Sequence, residues 1–401
     1  MRDRQARIAT YAAFGIQGLC FASLVTRVPQ IQKAHHLSDA DLAIVLLLVP
    51  VIAGLGSVLS GLAFQRFGSG PVLRIGQPAV AATITLIGLT GGELLPLYAS
   101  VALFGLAVGA VDASMNAQAV AVERHEGRSV TSGFYAMWSA AGILGALWTS
   151  LANKLDLSLF VGFGIPALVG VAGSLLLGPR LYRKAEEGSG PSSAELKSAG
   201  RLVPWRPVVL VGIAMGCFYI ADAAISNYSA KYLEDELSAS GAVAPLAYGA
   251  YQVAMVLSRG VADLGVRRYG PVNVIRLGAV VGFLGMAGVI AAPNALLAIA
   301  AVTVMGLGVC VVAPIAFSAA DRVDSTGLGI AVSRVNLFNY AGFVLGAGII
   351  GAFAPAEGES NLRVAFMIPA ALILVILFLA PSFAPRPADP AGPVKPAPAP
   401  A

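Results

Sequence analysis

Twelve stretches of this chain are each long and apolar enough to cross a lipid bilayer, and that one feature excludes most folds. A spanning helix needs about 20 predominantly apolar residues. Runs of this kind occupy residues 8–26, 42–64, 72–91, 94–122, 130–151 and 158–177, then 207–230, 243–264, 272–292, 295–319, 329–353 and 362–381. Only 12% of the residues are charged and 57% are apolar, whereas a soluble domain carries about 25% charged residues. Lipid is therefore the expected solvent. Backbone groups in hydrocarbon must satisfy one another, so each run is expected to be a helix. The first run, which follows Met1–Arg7, has the look of a signal peptide. With eleven more behind it, it reads as the first span.

The runs fall into two sets of six, and short motifs repeat between the sets. Arg66-Phe67-Gly68-Ser69-Gly70-Pro71-Val72-Leu73-Arg74 stands between the second and third runs, and Arg268-Tyr269-Gly270-Pro271-Val272-Asn273-Val274-Ile275-Arg276 stands 202 residues later. Gly105-Leu106, Val108 and Val111 recur as Gly306-Leu307, Val309 and Val312. Gly15-Ile16 with Cys20-Phe21 recurs as Gly212-Ile213 with Cys217-Phe218. Three matches at nearly one spacing indicate an internal duplication. The expected fold is an all-α membrane protein of twelve transmembrane helices in two pseudo-symmetric six-helix bundles. The expected divisions are a first bundle at 1–178, a linker at 179–206, a second bundle at 207–382 and a Pro- and Ala-rich tail at 383–401. The linker, with its Gly-Ser-Gly-Pro-Ser-Ser core, reads as flexible or surface-lying. The tail reads as disordered or polyproline-like.

Basic residues orient such a chain, because they collect on the cytoplasmic side. With the N-terminus inside, twenty of the 26 Lys and Arg fall in the cytoplasm. Five fall outside, namely Arg27, Lys33, Lys154, Lys231 and Arg363, and Arg334 lies within a helix. Both termini are expected in the cytoplasm of a cell whose inner or plasma membrane holds the protein. The same distribution removes nucleic acid as a partner: the net charge of +5 sits at membrane boundaries. Cys20, Cys217 and Cys310 lie inside apolar runs and read as small buried hydrophobes, with no metal-ligand or disulfide spacing.

The twelve runs, the central linker and the two basic turns together resemble the major facilitator superfamily, across nearly the whole chain. In that superfamily the turn reads Gly, three residues, Asp, Arg, one residue, Gly. Gly61, Arg66 and Gly68 match it, while Gln65 stands at the Asp position; Arg268 and Gly270 match in the second copy, where Arg267 replaces the Asp. A narrower resemblance is to the fucose/glucose–proton symporter branch. It rests on Asp112-Ala113-Ser114-Met115-Asn116, on Gly306-Leu307-Gly308 with Pro314, on Thr26-Arg27-Val28-Pro29 and on Gly133-Phe134-Tyr135. Many drug–proton antiporters carry an Arg in the fourth span; Gly105 and Leu106 stand near its place here. The resemblance implies a secondary transporter of a small molecule, proton-coupled, working without a cofactor and as a monomer.

Ionisable groups inside a span are costly and usually functional. Asp112 lies about 27 Å along the fourth run, and Asn116 follows one turn later. Low dielectric disfavours a fixed charge at such depth, which suits a group that takes up and releases a proton. Asp222 lies about 22 Å along the seventh run; the resemblance places that helix against the transport cavity. Both are candidates for proton coupling, and each could instead be a structural hydrogen-bond anchor. The sequence does not choose between them. Candidate substrate groups are Gln17, Asn116, Tyr135, Trp138, Asn227, Tyr228, Gln252, Arg334, Asn336, Asn339 and Tyr340, with Tyr11 as a further stacking surface. Arg334 could instead pair with an intramembrane Asp or reach the headgroups. Candidate gating groups are Arg27, Gly61, Arg66, Gly68, Arg259, Asp263, Arg268 and Gly270, with Arg259 and Asp263 one turn apart and suited to an ion pair. The run Glu234-Asp235-Glu236 reads as a solvated loop.

A membrane transporter is thus the leading reading, with uptake by proton symport ahead of export by proton antiport. A membrane-embedded enzyme would need a nucleophile with a base, or metal ligands, at cavity depth, and the spans hold no His. A sensor would more naturally carry an added soluble domain.

Overall fold

The structure is a computed structural model. It describes residues 1–127, 130–187, 193–326, 329–353 and 362–385, apart from the side chains of Gln65, Ser193, Ala194, Leu196, Lys197, Val261 and Asp263. The expected tail lies outside the described residues from position 386 onward.

All twelve runs are helical. The first six spans are Arg2–Val25, Asp39–Phe67, Ser69–Ile87, Leu94–Glu126, Thr131–Lys154 and Leu159–Leu177. The next three are Trp205–Asp235, Leu246–Tyr269 and Pro271–Ala291. The tenth is broken into Ala295–Val309 and Val312–Val323, the eleventh is Ile330–Phe353, and the twelfth comprises Leu362–Ala365 and Met367–Leu379. Ten of these spans combine membrane-crossing length, high hydropathy and few charges. The third and eighth are the more polar two; the eighth carries Arg259, Asp263, Arg267 and Arg268. Polar side chains set several starts. Ser38 and Asp41 form a reciprocal cap on the second span, and Ser158 and Asn294 cap the sixth and tenth. Each supplies acceptors for amides that a helix start leaves unpaired.

The duplication holds in three dimensions. In the first half the first span packs on the fourth, fifth and sixth, and the fourth packs on the second and third. In the second half the seventh packs on the tenth, eleventh and twelfth, and the tenth packs on the eighth and ninth. Shifting every number by six converts one set into the other. The halves meet where the second span packs on the eleventh and the fifth on the eighth. Small residues make the closest crossings, since no hydrophobic effect drives helices together in lipid. A Cβ on Gly109 would collide with the Ala53 carbonyl, and one on Gly56 with the Leu106 carbonyl, so the second and fourth spans cross nearly backbone to backbone.

The two basic turns also fold alike. Gly68 and Gly270 have φ of 84° and 78°, which L side chains rarely adopt. Arg66 lies over the Phe67 ring at 5.3 Å and Arg268 over the Tyr269 ring at 5.4 Å. A third repeated device joins the fourth span to the fifth and the tenth to the eleventh. Glu123 accepts from the amides of Val130 and Thr131 at 2.8 and 2.9 Å, and Asp324, 201 residues on, accepts from the Ala331 amide at 3.2 Å. A carboxylate at a helix start is favoured by the macrodipole.

The stretch after the sixth span, expected to be flexible or surface-lying, docks on the first half. Arg2 grips Glu186 with Nε and Nη2 at 2.8 and 2.6 Å and donates to the carbonyls of Arg180 and Leu181. This contact holds the Glu186 carboxyl well down, at about 2. Glu187 accepts from the amides of Ser69 and Gly70 at the start of the third span. The buried Gln118 amide exchanges two hydrogen bonds with the Tyr182 peptide. Farther on, a helix at Ser193–Gly200 meets the eleventh span of the second half.

At the end opposite the basic turns, the halves are tied together by polar groups. Lys231 of the seventh span pairs with Asp39 of the second at 3.0 Å and donates to Gln32 at 2.8 Å. Glu234 takes Lys33 at 2.5 Å and Gln30 at 2.8 Å. Ser150 and Asn153 of the fifth span donate to the carbonyls of Ala242 and Gly241. This corrects the reading of Glu234-Asp235-Glu236 as a solvated loop. Glu234 and Asp235 complete the seventh helix, the Glu234 side chain is only 5% exposed, and Glu236 accepts from the Leu362 amide. Charge density alone cannot distinguish a solvated acidic run from one that faces basic partners of the other half.

Candidate functional site

The fourth, fifth, seventh, eighth and eleventh spans bring a polar cluster together between the halves. In the first half, Asn116 donates to the Asp112 carbonyl at 2.9 Å, as one turn of helix allows. The Tyr135 hydroxyl donates to Asn116 Oδ1 at 2.9 Å, joining the fifth span to the fourth. From the other half, Arg259 donates to the Tyr135 carbonyl at 3.4 Å and to Ser139 Oγ at 3.3 Å, its guanidinium 5.9 Å from the Tyr135 ring centre. Tyr340 of the eleventh span stands close to Asn336 and to Ser57 of the second span. Tyr135 stays 37% exposed and Tyr340 42% exposed, although both face the opposite half.

Asp222 lies deeper and is buried at 4% exposure. Its Oδ1 accepts from the Tyr251 hydroxyl at 2.6 Å. Tyr251 also stands within electrostatic reach of Cys310, where the tenth span is interrupted. Tyr219 stands within electrostatic reach of Asp222, Tyr135 and Arg259. Gln17 of the first span and Gln252 of the eighth are buried, and each carries an Oε1 with no hydrogen-bond partner. The Tyr248 hydroxyl approaches Gln252 without a well-formed bond and is likewise unsatisfied. A buried acceptor without a donor costs about 1–3 kcal/mol. Such atoms are natural contacts for a polar guest.

Other candidates stand elsewhere. Arg334 donates to the carbonyls of Gly200 and Val203 at 2.6 and 3.3 Å and lies 4.3 Å from the Trp205 ring centre. It therefore pins the linker to the eleventh span and meets neither carboxylate. The Tyr228 hydroxyl donates to the Ala347 carbonyl at 3.1 Å, tying the seventh span to the eleventh, and Asn227 donates to the Ala223 carbonyl of its own helix. Asn339 donates to Asn336. Trp138 packs on Phe21 at 5.8 Å, and Tyr11 packs on Phe134 at 4.5 Å. Arg27 is buried against the sixth span, donating to the Ser158 carbonyl at 3.3 Å beside Phe163, apart from the polar ties between the halves. Arg259 makes cross-half contacts; the side chain of Asp263, its expected partner along the helix, lies outside the described residues. Gly61 has open space where a Cβ would sit.

Sequence reasoning missed Tyr219, Tyr248, Tyr251, Ser139 and the Lys231–Asp39 pair. A signal existed for some of them: Tyr248 and Tyr251 precede Gln252 within about one turn, and Lys231 is a lone cation near the end of a span.

Comparison with known proteins settles the family. A model of the Major Facilitator Superfamily matches residues 10–324 and 211–401. The chain belongs to the major facilitator superfamily. This superfamily member is a multi-pass membrane protein whose relatives are transporters. An uncharacterized transporter of Sinorhizobium fredii is 30% identical over 371 residues, covering 92% of this chain and 96% of that one. Membrane protein MosC of Rhizobium meliloti is 26% identical over 347 residues, covering 86% and 83%. Among solved structures, the nucleoside transporter NupG superposes with a TM-score of 0.74 at 15% identity, covering 95% of this chain and 98% of that one. FucP, in its outward conformation, superposes with a TM-score of 0.64 at 14% identity, covering 94% and 98%. At such identities the likeness is one of fold.

Proposed function

We propose that this superfamily member is a proton-coupled secondary transporter of a small organic solute, working by alternating access in the cytoplasmic membrane. The carrying observation is the polar cluster in which Arg259 of one half grips Tyr135 and Ser139 of the other, with Asp112 and Asp222 close by. A site shared by both halves is remade whenever they rock, as alternating access requires. The basic end lies in the cytoplasm by the distribution of Lys and Arg. The polar ties at the opposite end then close the outer side, and the exposure of Tyr135 and Tyr340 reflects a cavity open inward. The guest contacts Gln17, Gln252 and Tyr248 through their unsatisfied polar atoms, beside Tyr135 and Asn116.

The roles of the two acids differ in this reading. Asp112 is half-buried and close to Tyr135 and Tyr340, so water reaches it from the cavity. Asp222 is sealed behind Tyr251. Asp112 therefore exchanges the proton, and Asp222 anchors Tyr251 beside the broken tenth span. The test is proteoliposome uptake with and without an imposed pH gradient, beside counterflow exchange. Asp112→Asn should lose accumulation against a gradient while keeping counterflow. Asp222→Asn should lower both together. If Asp112→Asn still accumulates solute with normal pH dependence, the assignment of the proton to Asp112 is wrong.

A further inference from the structure

A cavity of about 410 Å³ opens at the basic end of the second half, away from the polar cluster. It lies where the start of the seventh span meets the ends of the tenth and twelfth. Its walls include Leu202, Pro207, Ala319, Arg322, Ser325 and Ser382. The volume is that of a small-ligand site. Three features give its chemistry. Arg322 donates to the Phe383 carbonyl at 3.2 Å, which fixes the guanidinium at the wall and, among the described residues, uses one of its five N–H donors. Ser325 adds a hydroxyl, whereas the Ser382 hydroxyl donates to the Leu379 carbonyl at 2.7 Å. Arg201 and Arg206, both exposed, flank the wall residues Leu202, Pro204 and Pro207 in the chain.

The same place carries the marks of the bilayer interface. Leu202 is 69% exposed and Trp205 60% exposed at the start of a membrane-crossing helix. Trp favours the headgroup level, and basic pockets between helix ends suit anionic lipid heads. Of the acids nearby, Asp324 is buried and committed to the Ala331 and Thr326 amides, which leaves Asp321 as the exposed one on that turn. We propose that this cavity is a binding site for the headgroup of an acidic phospholipid, its phosphate held by Arg322 and Ser325 and its acyl chains lying along Leu202. A guanidinium fork and a hydroxyl match phosphate oxygens, and the apolar rim matches what a free anion lacks.

The experiment is native mass spectrometry and thermal melting of the full chain. The additions are phosphatidylglycerol, phosphatidylcholine or inorganic phosphate. Wild type should retain phosphatidylglycerol about tenfold better than phosphatidylcholine, the worth of a charge-assisted contact. Arg322→Gln should erase that preference and Arg322→Lys should keep most of it. Ser325→Ala should reduce it a few-fold in a protein that melts normally. An unchanged preference in Arg322→Gln overturns the site. So does inorganic phosphate alone raising the melting temperature as much as phosphatidylglycerol, which would make the ligand a free anion. Because lipid retention is read without transport, the result is independent of the proposed solute and proton roles.

Discussion

Replacing Lys231 with Met should open the end of the molecule that the structure shows tied. Lys231 is 4% exposed and meets Asp39, Asp235 and Gln32. Removing one partner of a fully buried ion pair costs about 3–5 kcal/mol. Here the acids keep some water, with side-chain exposures of 17% for Asp39 and 27% for Asp235, so solvent screening lowers that figure. Asp235 belongs to the same helix as Lys231, so only the Asp39 and Gln32 contacts are lost when the halves part. A loss of about 2 kcal/mol from the closed state follows, equal to roughly a 30-fold shift towards opening. Lys33→Met should add only a few-fold, because the Lys33 side chain is 66% exposed. The assay is double electron–electron resonance between nitroxides on Leu155→Cys and Ser240→Cys, one in each half. The long-distance population should grow by the stated ratio in Lys231→Met, and Asp39→Asn should remove most of the difference between Lys231 and Met backgrounds. An unchanged distance distribution in a folded Lys231→Met protein would refute the reasoning.

Three further outcomes are expected. Gly109→Val should lower stability by about 1–3 kcal/mol, since the new atoms meet the Ala53 carbonyl, whereas Gly61→Ala should melt like wild type because its surroundings are open; thermal melts in one detergent compare them. Arg66→Gln and Arg268→Gln should each slow uptake by a graded amount without weakening solute binding, and wild-type transport in the double variant would remove the turns from gating. The Arg2–Glu186 contact should strengthen linker docking above about pH 4.5 and weaken as pH falls towards 2, because a depressed carboxyl contributes only while ionised. Protection of the Tyr182 amide from hydrogen exchange should drop over that range in wild type, and Arg2→Gln should flatten the dependence.

The membrane-spanning character, the twelve helices and the repeat were legible in the sequence because each depends on local chemistry. A run of about 20 apolar residues must be helical in lipid whatever surrounds it. The basic turns repeat in the sequence as they do in space, down to the left-handed glycines Gly68 and Gly270. Asp112 and Asn116 could be placed together for the same reason, since one helical turn separates them. Tertiary structure decided everything that joins distant segments. Tyr135 reaches Asn116, Tyr251 reaches Asp222, and Lys231 reaches Asp39 only because separate helices cross at particular depths and rotations. Arg334 shows the limit most clearly: its sequence position allowed an acid, a solute or a headgroup as partner, and the fold supplied two linker carbonyls and Trp205. In an apolar helix every face reads alike, so periodicity does not say which face turns inward. That choice is made by close packing at sites such as Gly109 and Gly56, where two helices must fit each other before either has a direction.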